Sequence, residues 1–356
     1  MRFVGSVLVG VLACVALSCG SSEEAASNDG GGVAAGKSGA GAGGGAAGAS
    51  VGESGGGGAG GNGGSVAVGG SGGGGNGGAA GGLNPPASCG SVVTGTIRDF
   101  RAGGDFQCNN SGFVDTAQKD CGPWDPAIVG PLGAALGPKR KPVFAAGGKT
   151  PSTTGGAAFQ QWFEDVPGFN LGTSFDLKLQ GGPGGTFSFD TSAFFPIDGK
   201  LFAAEANDPD KGPYKSDDGQ VRNYHFTYEL HTTFRYDPGN VFTFRGDDDV
   251  FVYINDRLAV NLGGIHVPMQ GKISLDTGRV EITVEPQWAS LVQVTPRPEL
   301  GLPDAIANGV AGTVDLGLTA GQVYNLDFFF AERNCCGSNF RVETNLVFID
   351  CGVDVK

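Results

Sequence analysis

The chain has 356 residues, a formal net charge of −13 at pH 7 and charged side chains at only 17% of its positions. A negative charge of this size argues against nucleic acid or an anionic membrane surface as a partner, because both are polyanions. Glycine is abundant, with 67 residues, and it is densest before residue 87. Composition therefore divides the chain into a glycine-rich part and an ordinary globular part.

Residues 1–18 are typical of an export signal. Arg2 provides a positive start, and the apolar run over residues 3–17 has the length of a signal-peptide core but is short for a membrane-spanning helix. The run ends where Ser18 precedes Cys19, as in bacterial lipoproteins, whose cysteine carries a diacylglycerol. We predict lipidation of Cys19 and a position on the bacterial outer membrane or cell surface, with membrane contact only through the lipid. The alternative is an ordinary signal peptide cut near Ser18.

Residues 19–87 are predicted to form a disordered tether. Gly, Ala and Ser dominate this segment, which cannot bury enough apolar surface to offset the entropy lost on ordering it. A glycine-rich coil of this length reaches about 40–50 Å on average. The tether would lift a domain clear of the surface, and the alternative is a low-complexity spacer whose sequence has no further role.

Residues 88–356 are predicted to form one all-β domain, a two-sheet β-sandwich. Their length suffices for one substantial core, and β-rich runs recur between turn signals. In residues 226–234, apolar and polar side chains alternate, which predicts a strand with one face on a core. The predicted strands lie at residues 186–190, 224–233, 241–244, 250–254, 258–262, 272–275, 280–284, 324–331 and 340–349, and residues 159–164 are predicted to form one helical turn.

Cysteine usage indicates an oxidising compartment. Of eight cysteines, Cys14 lies in the predicted signal and Cys19 carries the lipid, so six remain, with fifteen possible pairings. A bond between Cys89 and Cys351 would join the two ends of the domain, and this is the favoured pair. The other candidates are Cys108 and Cys121, which would close a local loop, and the adjacent Cys335 and Cys336.

Three consecutive aspartates, Asp247, Asp248 and Asp249, stand at the entrance of a predicted strand. Their charges repel one another unless a cation neutralises them. Calcium binds six to eight oxygen ligands, and clustered aspartates supply them, so the run predicts a calcium site; the alternative is a solvated acidic turn. A second acidic run, over residues 208–219, lacks the final glutamate of a calcium loop and is predicted to be a solvated surface loop.

The sequence gives little indication of catalysis, and we predict a protein that is not an enzyme. It contains no nucleophile-elbow, zinc-protease or phosphate-loop motif. His231 lies near Glu229, and together with His266 and Glu332 it would make a metal or acid–base cluster. The favoured interpretation is that these strand residues satisfy hydrogen bonds in the core.

Several segments together resemble the fibro-slime domain. They are residues 223–234, 244–256, 258–266, 326–333 and 337–344, with 94–100 and 159–163 matching its opening. The resemblance covers most of residues 94–349. The family is similar to PA14 domains, which are β-sandwiches that include calcium-dependent carbohydrate-binding adhesin modules.

The resemblance implies a set of ligands. It places a calcium-binding aspartate pair, joined by a cis peptide bond, at Asp247 and Asp248. Asp249 is then a third ligand, unless the register shifts by one residue. A second ligand loop would supply oxygens from Asn334 or Asn339.

The chain departs from the family pattern by an inserted loop at about residues 278–315. Trp288 in this loop would stack on a sugar, unless it packs in the loop's own small core. His266, which ends one of the matching segments, is the other predicted ligand-binding residue. Inserted loops on rigid sandwiches often carry binding specificity.

We therefore expect a surface module that binds carbohydrate with the help of calcium and acts in adhesion. Its partner would be a surface or matrix glycan. The first alternative is a structural component of an extracellular matrix that uses calcium only to stabilise its fold and binds a matrix protein. The second is a secreted enzyme of the glycoside hydrolase type.

Overall fold

The structure is a computed structural model that describes residues 91–101, 106, 124–204, 220–286, 312–333 and 337–351. The predicted signal, the tether and Cys19 lie outside these ranges. Within them, no helix combines the length and the apolar character needed to cross a membrane.

Fourteen strands form the described part of the chain, as the sequence predicts for an all-β protein. In chain order they are β1 Val92–Phe100, β2 Asn170–Lys178, β3 Gln180–Gly181, β4 Phe187–Thr191, β5 Phe226–Arg235, β6 Val241–Gly246, β7 Asp249–Ile254, β8 Arg257–Leu262, β9 Met269–Ser274, β10 Arg279–Val284, β11 Gly312–Thr313, β12 Val323–Glu332, β13 Phe340–Thr344 and β14 Val347–Asp350. Helical structure in these ranges is limited to α1 Gly156–Phe159 and the short 3-10 helices Pro126–Ile128, Pro138–Arg140, Gln160–Trp162, Pro183–Gly185 and Leu201–Ala204.

The strands form two seven-stranded sheets, which confirms the predicted sandwich. The first sheet has the order β2-β1-β5-β12-β7-β8, and β14 also pairs with β5. The second has the order β11-β10-β9-β6-β13-β4-β3. Apolar side chains from both sheets meet in the main core, where aromatic rings from β5, β6, β12 and β13 pack together. Among these, Phe340 contacts Phe244, Phe328 and Phe330 at ring-centre distances of 5.1–5.7 Å.

The inner strands β5, β12 and β7 of the first sheet are buried on both faces, and this corrects the prediction of a single buried face for residues 226–234. Residues 124–163, here called the covering segment, lie over its outer face and form a second apolar cluster with it. In this cluster Trp162 and Phe163 of the covering segment lie near Phe329 of β12, and Phe163 and Phe329 pack 5.0 Å apart. The polar side chains of β5 are therefore covered, and they need partners inside the protein.

The ends of the predicted insertion at 278–315 belong to the second sheet. β10 pairs with β9 over its whole length, and β11 pairs with the start of β10. Residues 287–311, with Trp288, lie outside the described residues, as does the second acidic run at 208–219.

Candidate functional site

Asp247 and Asp248 lie at a junction between the two sheets. They follow β6 of the second sheet and precede β7 of the first. The peptide bond that joins them is cis, which is where the family resemblance places one. Both side chains are buried, although three consecutive aspartates would ordinarily favour solvent. We call Asp247, Asp248 and Asp249 the aspartate corner.

Asp247 is bound by a residue from a distant part of the sequence. Its Oδ1 accepts a hydrogen bond from the backbone N–H of Asn339 at 2.5 Å, and its Oδ2 accepts one from Asn339 Nδ2 at 3.0 Å. Asn339 stands immediately before β13, which pairs with β6. The structure therefore brings together two of the predicted ligands, Asp247 and Asn339.

Asp248 faces the first sheet. Its Oδ1 accepts a hydrogen bond from the backbone N–H of His266 at 3.3 Å, and its Oδ2 accepts one from the N–H of Arg333 at 3.0 Å. The imidazole of His266 lies against the carbonyl oxygens of Val267 and Leu262, at 2.8 and 3.0 Å. His266, a predicted ligand-binding residue, is thus beside the corner, with its ring nitrogens directed at backbone carbonyls.

Asp249 has a different environment from its two neighbours. Its Oδ2 forms an ion pair with Arg333 Nη1 at 3.0 Å, and both side chains are fully buried. Its Oδ1 accepts a hydrogen bond from the N–H of Gly264 at 2.5 Å. Because the guanidinium of Arg333 already neutralises Asp249, Asp247 and Asp248 are the better candidates for holding an ion.

Burial makes negative charge at the corner costly. It raises the pKa of Asp247, against the lowering effect of the hydrogen bonds from Asn339. It raises the pKa of Asp248 well above its ordinary value, and the nearby charges of Asp247 and Asp249 add to the effect. A cation beside these carboxylates would relieve the repulsion between them.

The donor set fits calcium in charge and in chemical type. The two carboxylates are hard oxygen ligands of the kind that calcium binds, and Asn339, whose Nδ2 donates to Asp247, would add its side-chain oxygen. No group of three or more His, Cys, Asp or Glu side chains within the described ranges is arranged to hold a metal ion. A calcium ion at Asp247 and Asp248 would therefore also need oxygens from amides, the backbone or water.

Several predicted site residues lie outside the described residues. They are Asn334, Trp288, Cys89, Cys108, Cys121, Cys335 and Cys336. Cys351 is described, at the end of β14, and its carbonyl accepts a hydrogen bond from the N–H of Thr94 at 2.7 Å. β1, near the start of the domain, thus lies beside Cys351 at its end, and the favoured pairing of Cys351 with Cys89 stays a prediction.

A second cluster of charged side chains lies under the covering segment. His231 contacts Glu229 through Nε2 and Asp327 through Nδ1, at 2.5 Å each. Arg98 lies 2.5 Å from Glu229, and Arg140 lies 2.7 Å from Asp327. Lys141 also forms an ion pair with Glu229.

The alternative cluster of His231 with His266 and Glu332 does not form, and His231 is hydrogen-bonded inside the protein to Glu229 and Asp327, in agreement with the favoured interpretation of core hydrogen bonds. His266 lies at the aspartate corner instead of beside His231. Asp327 lies opposite His231 through the register of β5 with β12, and residues 326–331, with one polar side chain in six, show no alternation from which that register could be predicted.

Comparison with known proteins finds relatives that match part of the chain. No family model and no solved structure matches the chain. The chain is 34% identical over 229 residues to the protein psiR of Dictyostelium discoideum, covering 62% of this chain and 19% of psiR. It is 31% identical over 220 residues to psiD and 35% identical over 162 residues to psiE of the same organism, covering 60% and 46% of this chain. The chain spans 35% of the length of psiD and 24% of psiE.

These matches agree with the resemblance drawn from the sequence motifs. They extend over about half to three-fifths of the chain and over about a third or less of each relative. The chain is thus distantly homologous, over part of its length, to the fibro-slime-like psi proteins of Dictyostelium discoideum.

Proposed function

We propose that the sandwich is a calcium-dependent binding module whose ion lies at Asp247 and Asp248. The observation that carries the proposal is the burial of these two carboxylates at the junction of the two sheets, with Asn339 against Asp247. Adjacent buried carboxylates are costly without a neutralising partner. Calcium would supply two positive charges at this junction.

The proposed ligand is a surface or matrix glycan. Calcium accepts six to eight oxygens, so an ion held by few protein donors keeps positions for the hydroxyl groups of a sugar. The net charge of −13 disfavours polyanionic ligands. His266, beside Asp248, and Trp288 are the side chains proposed to contact the sugar.

The proposed setting is the surface of a bacterial cell, where the module would act in adhesion. Lipid on Cys19 would anchor the chain in the outer membrane, and residues 19–87 would act as a flexible tether. The remaining cysteines would form disulfides in this oxidising compartment.

A structural role for the ion is the second candidate. Both carboxylates already accept hydrogen bonds from three other segments of the chain, through Asn339, His266 and Arg333. An ion added to these contacts would strengthen the junction between the sheets, and the module would then bind a matrix protein. The third alternative, a glycoside hydrolase, would need two carboxylates facing one cleft. Glu229 and Asp327 contact cationic side chains instead.

The proposed function can be tested by measuring binding of the full-length protein to an array of glycans. The array would be probed in calcium and in EDTA with the natural protein, with Asp247→Asn/Asp248→Asn, and with Asp190→Asn as a control. Asp190 is an exposed carboxylate on β4 that pairs with Arg341. We expect glycan binding that EDTA and the double variant abolish and the control retains. Binding that is unchanged in EDTA would contradict the proposal.

A further inference from the structure

Arg333 contacts two of the three consecutive aspartates of the corner. It follows the last residue of β12 and is fully buried. Its backbone N–H donates to Asp248 Oδ2 at 3.0 Å, while its Nη1 donates to Asp249 Oδ2 at 3.0 Å. One residue therefore positions Asp248 through the main chain and neutralises Asp249 through the side chain.

The rest of the same guanidinium group contacts the covering segment and Phe106. Its Nη2 donates to the carbonyl of Ser152, and its central carbon lies 4.3 Å from the centre of the Trp162 ring. Its Nε donates to the carbonyl of Phe106 at 2.8 Å. Ser152 and Trp162 both belong to the covering segment, so Arg333 joins the covering segment to the aspartate corner.

A second series of hydrogen bonds also joins the covering segment to the aspartate corner. Ser152 Oγ donates to Asp125 Oδ2 at 2.7 Å. The N–H of Asp125 donates to the carbonyl of Gly263 at 2.5 Å, and the N–H of the next residue, Gly264, donates to Asp249 Oδ1 at 2.5 Å. The contacts therefore run from the covering segment back to Asp249, where they meet the guanidinium of Arg333.

The charge balance at the corner depends on this arginine. Arg333 neutralises Asp249, which leaves the two negative charges of Asp247 and Asp248 to face a divalent cation. An uncharged side chain at position 333 would leave Asp249 as a third buried anion without its ion pair, and such a loss is strongly destabilising. It would also remove the donors that hold Ser152.

We infer that Arg333 is a positioning residue that couples cation binding at Asp247 and Asp248 to docking of the covering segment, an inference that rests on the proposed calcium site. Binding of the ion would hold the carboxylate of Asp248 in place. Arg333 donates a hydrogen bond to that carboxylate and also contacts Ser152 and Trp162. Two sites linked in this way stabilise each other reciprocally.

The first test is a calorimetric titration of calcium into the full-length protein, into Arg333→Met and into Arg341→Met. Arg341 is the matched control, because it is an arginine that also pairs with two carboxylates, Asp190 and Glu343, at the protein surface. We expect calcium affinity to fall at least tenfold in Arg333→Met and to stay unchanged in Arg341→Met.

The second test uses only the natural protein and so does not depend on the folding of a variant. Amide hydrogen exchange is measured in calcium and in EDTA. We expect calcium to slow exchange at least tenfold in peptides that cover residues 150–163 of the covering segment. Peptides from β2, at the edge of the first sheet, serve as the internal control and are expected to exchange at the same rate in both conditions.

The outcomes separate this inference from the proposed function. If the natural protein binds calcium while Arg333→Met binds it equally tightly, the coupling through Arg333 is overturned and the calcium site stands. Calcium binding without any change of exchange in the covering segment would overturn it in the same way. A natural protein that does not bind calcium would overturn both.

Discussion

His231 on β5 and Asp327 on β12 face each other across two paired strands, with Nδ1 of the imidazole 2.5 Å from Oδ1 of the carboxylate. The other ring nitrogen lies 2.5 Å from Glu229 Oε1. A buried imidazole between two carboxylates is stabilised in its protonated form. This arrangement makes the stability of the covered sheet depend on pH.

Stability is expected to fall as the pH rises above neutrality. Burial alone would lower the pKa of His231, but its hydrogen bonds to Asp327 and Glu229 outweigh burial and raise it. A raised folded-state pKa gives a contribution that is full below the unfolded value of about 6.5 and is lost as pH rises through the folded-state pKa. Melting temperatures between pH 5 and 9 would show this decline, and His231→Gln should flatten it. An equal decline in the variant would contradict the assignment.

Acid should weaken the same cluster through Glu229. Burial would raise the pKa of this carboxyl group, but His231, Arg98 and Lys141 together lower it. Its contribution is therefore present above the unfolded value of about 4.3 and lost as pH falls through the lower folded-state pKa. For this cluster, maximal stability is expected between these two limits, from about pH 4.3 to 6.5.

Removal of Arg98 should be strongly destabilising. Its ion pair with Glu229 is buried on both sides, and breaking such a pair costs about 3–5 kcal/mol of unfolding free energy because one charge stays buried. Arg279→Met is the control, because Arg279 pairs with Glu281 on the exposed surface, where a pair contributes at most about 1 kcal/mol. Urea unfolding of Arg98→Met and the control measures the difference. If both variants lost the same unfolding free energy, the buried pair would contribute no more to stability than the exposed pair, which would contradict this prediction.

The two ends of the domain should be joined by a disulfide between Cys89 and Cys351. The hydrogen bond from Thr94 to the carbonyl of Cys351 brings β1, near the start of the domain, beside Cys351. Peptide mapping of the unreduced full-length protein should recover this pair, and Cys351→Ser should lower the unfolding free energy by about 2–5 kcal/mol. Recovery of Cys351 with another cysteine would refute the predicted pairing.

The sequence predicted well those strands in which apolar and polar residues alternate or which contain β-branched residues. β7, β8, β10 and β12 lie within about one residue of their predicted bounds, because each contains β-branched residues, to which β7 and β12 add aromatic rings. β2 was not predicted, since it contains glycine and aspartate and is half exposed at a sheet edge. The predicted run 340–349 is two strands, β13 and β14, which lie in different sheets.

The environment of the polar residues was less predictable. Glu229 and His231 have the alternation of a solvated strand face, but the covering segment buries them. Alternation identifies the two faces of a strand, and it does not show that a segment about 90 residues earlier will cover the polar one. In the same way, the sequence shows that the three aspartates are adjacent. It does not show that Asp249 forms an ion pair with Arg333.

Thermal unfolding of the full-length protein in calcium and in EDTA tests the central claim most directly, with Asp248→Asn beside the natural protein and Asp190→Asn as the control. At a calcium concentration one hundred times the dissociation constant, the ion should add about 2.7 kcal/mol of unfolding free energy, which raises the melting temperature by roughly 5–10 °C. We predict that the natural protein and Asp190→Asn show this rise and that Asp248→Asn does not. If calcium leaves the melting temperature of the natural protein unchanged, the aspartate corner is not a calcium site.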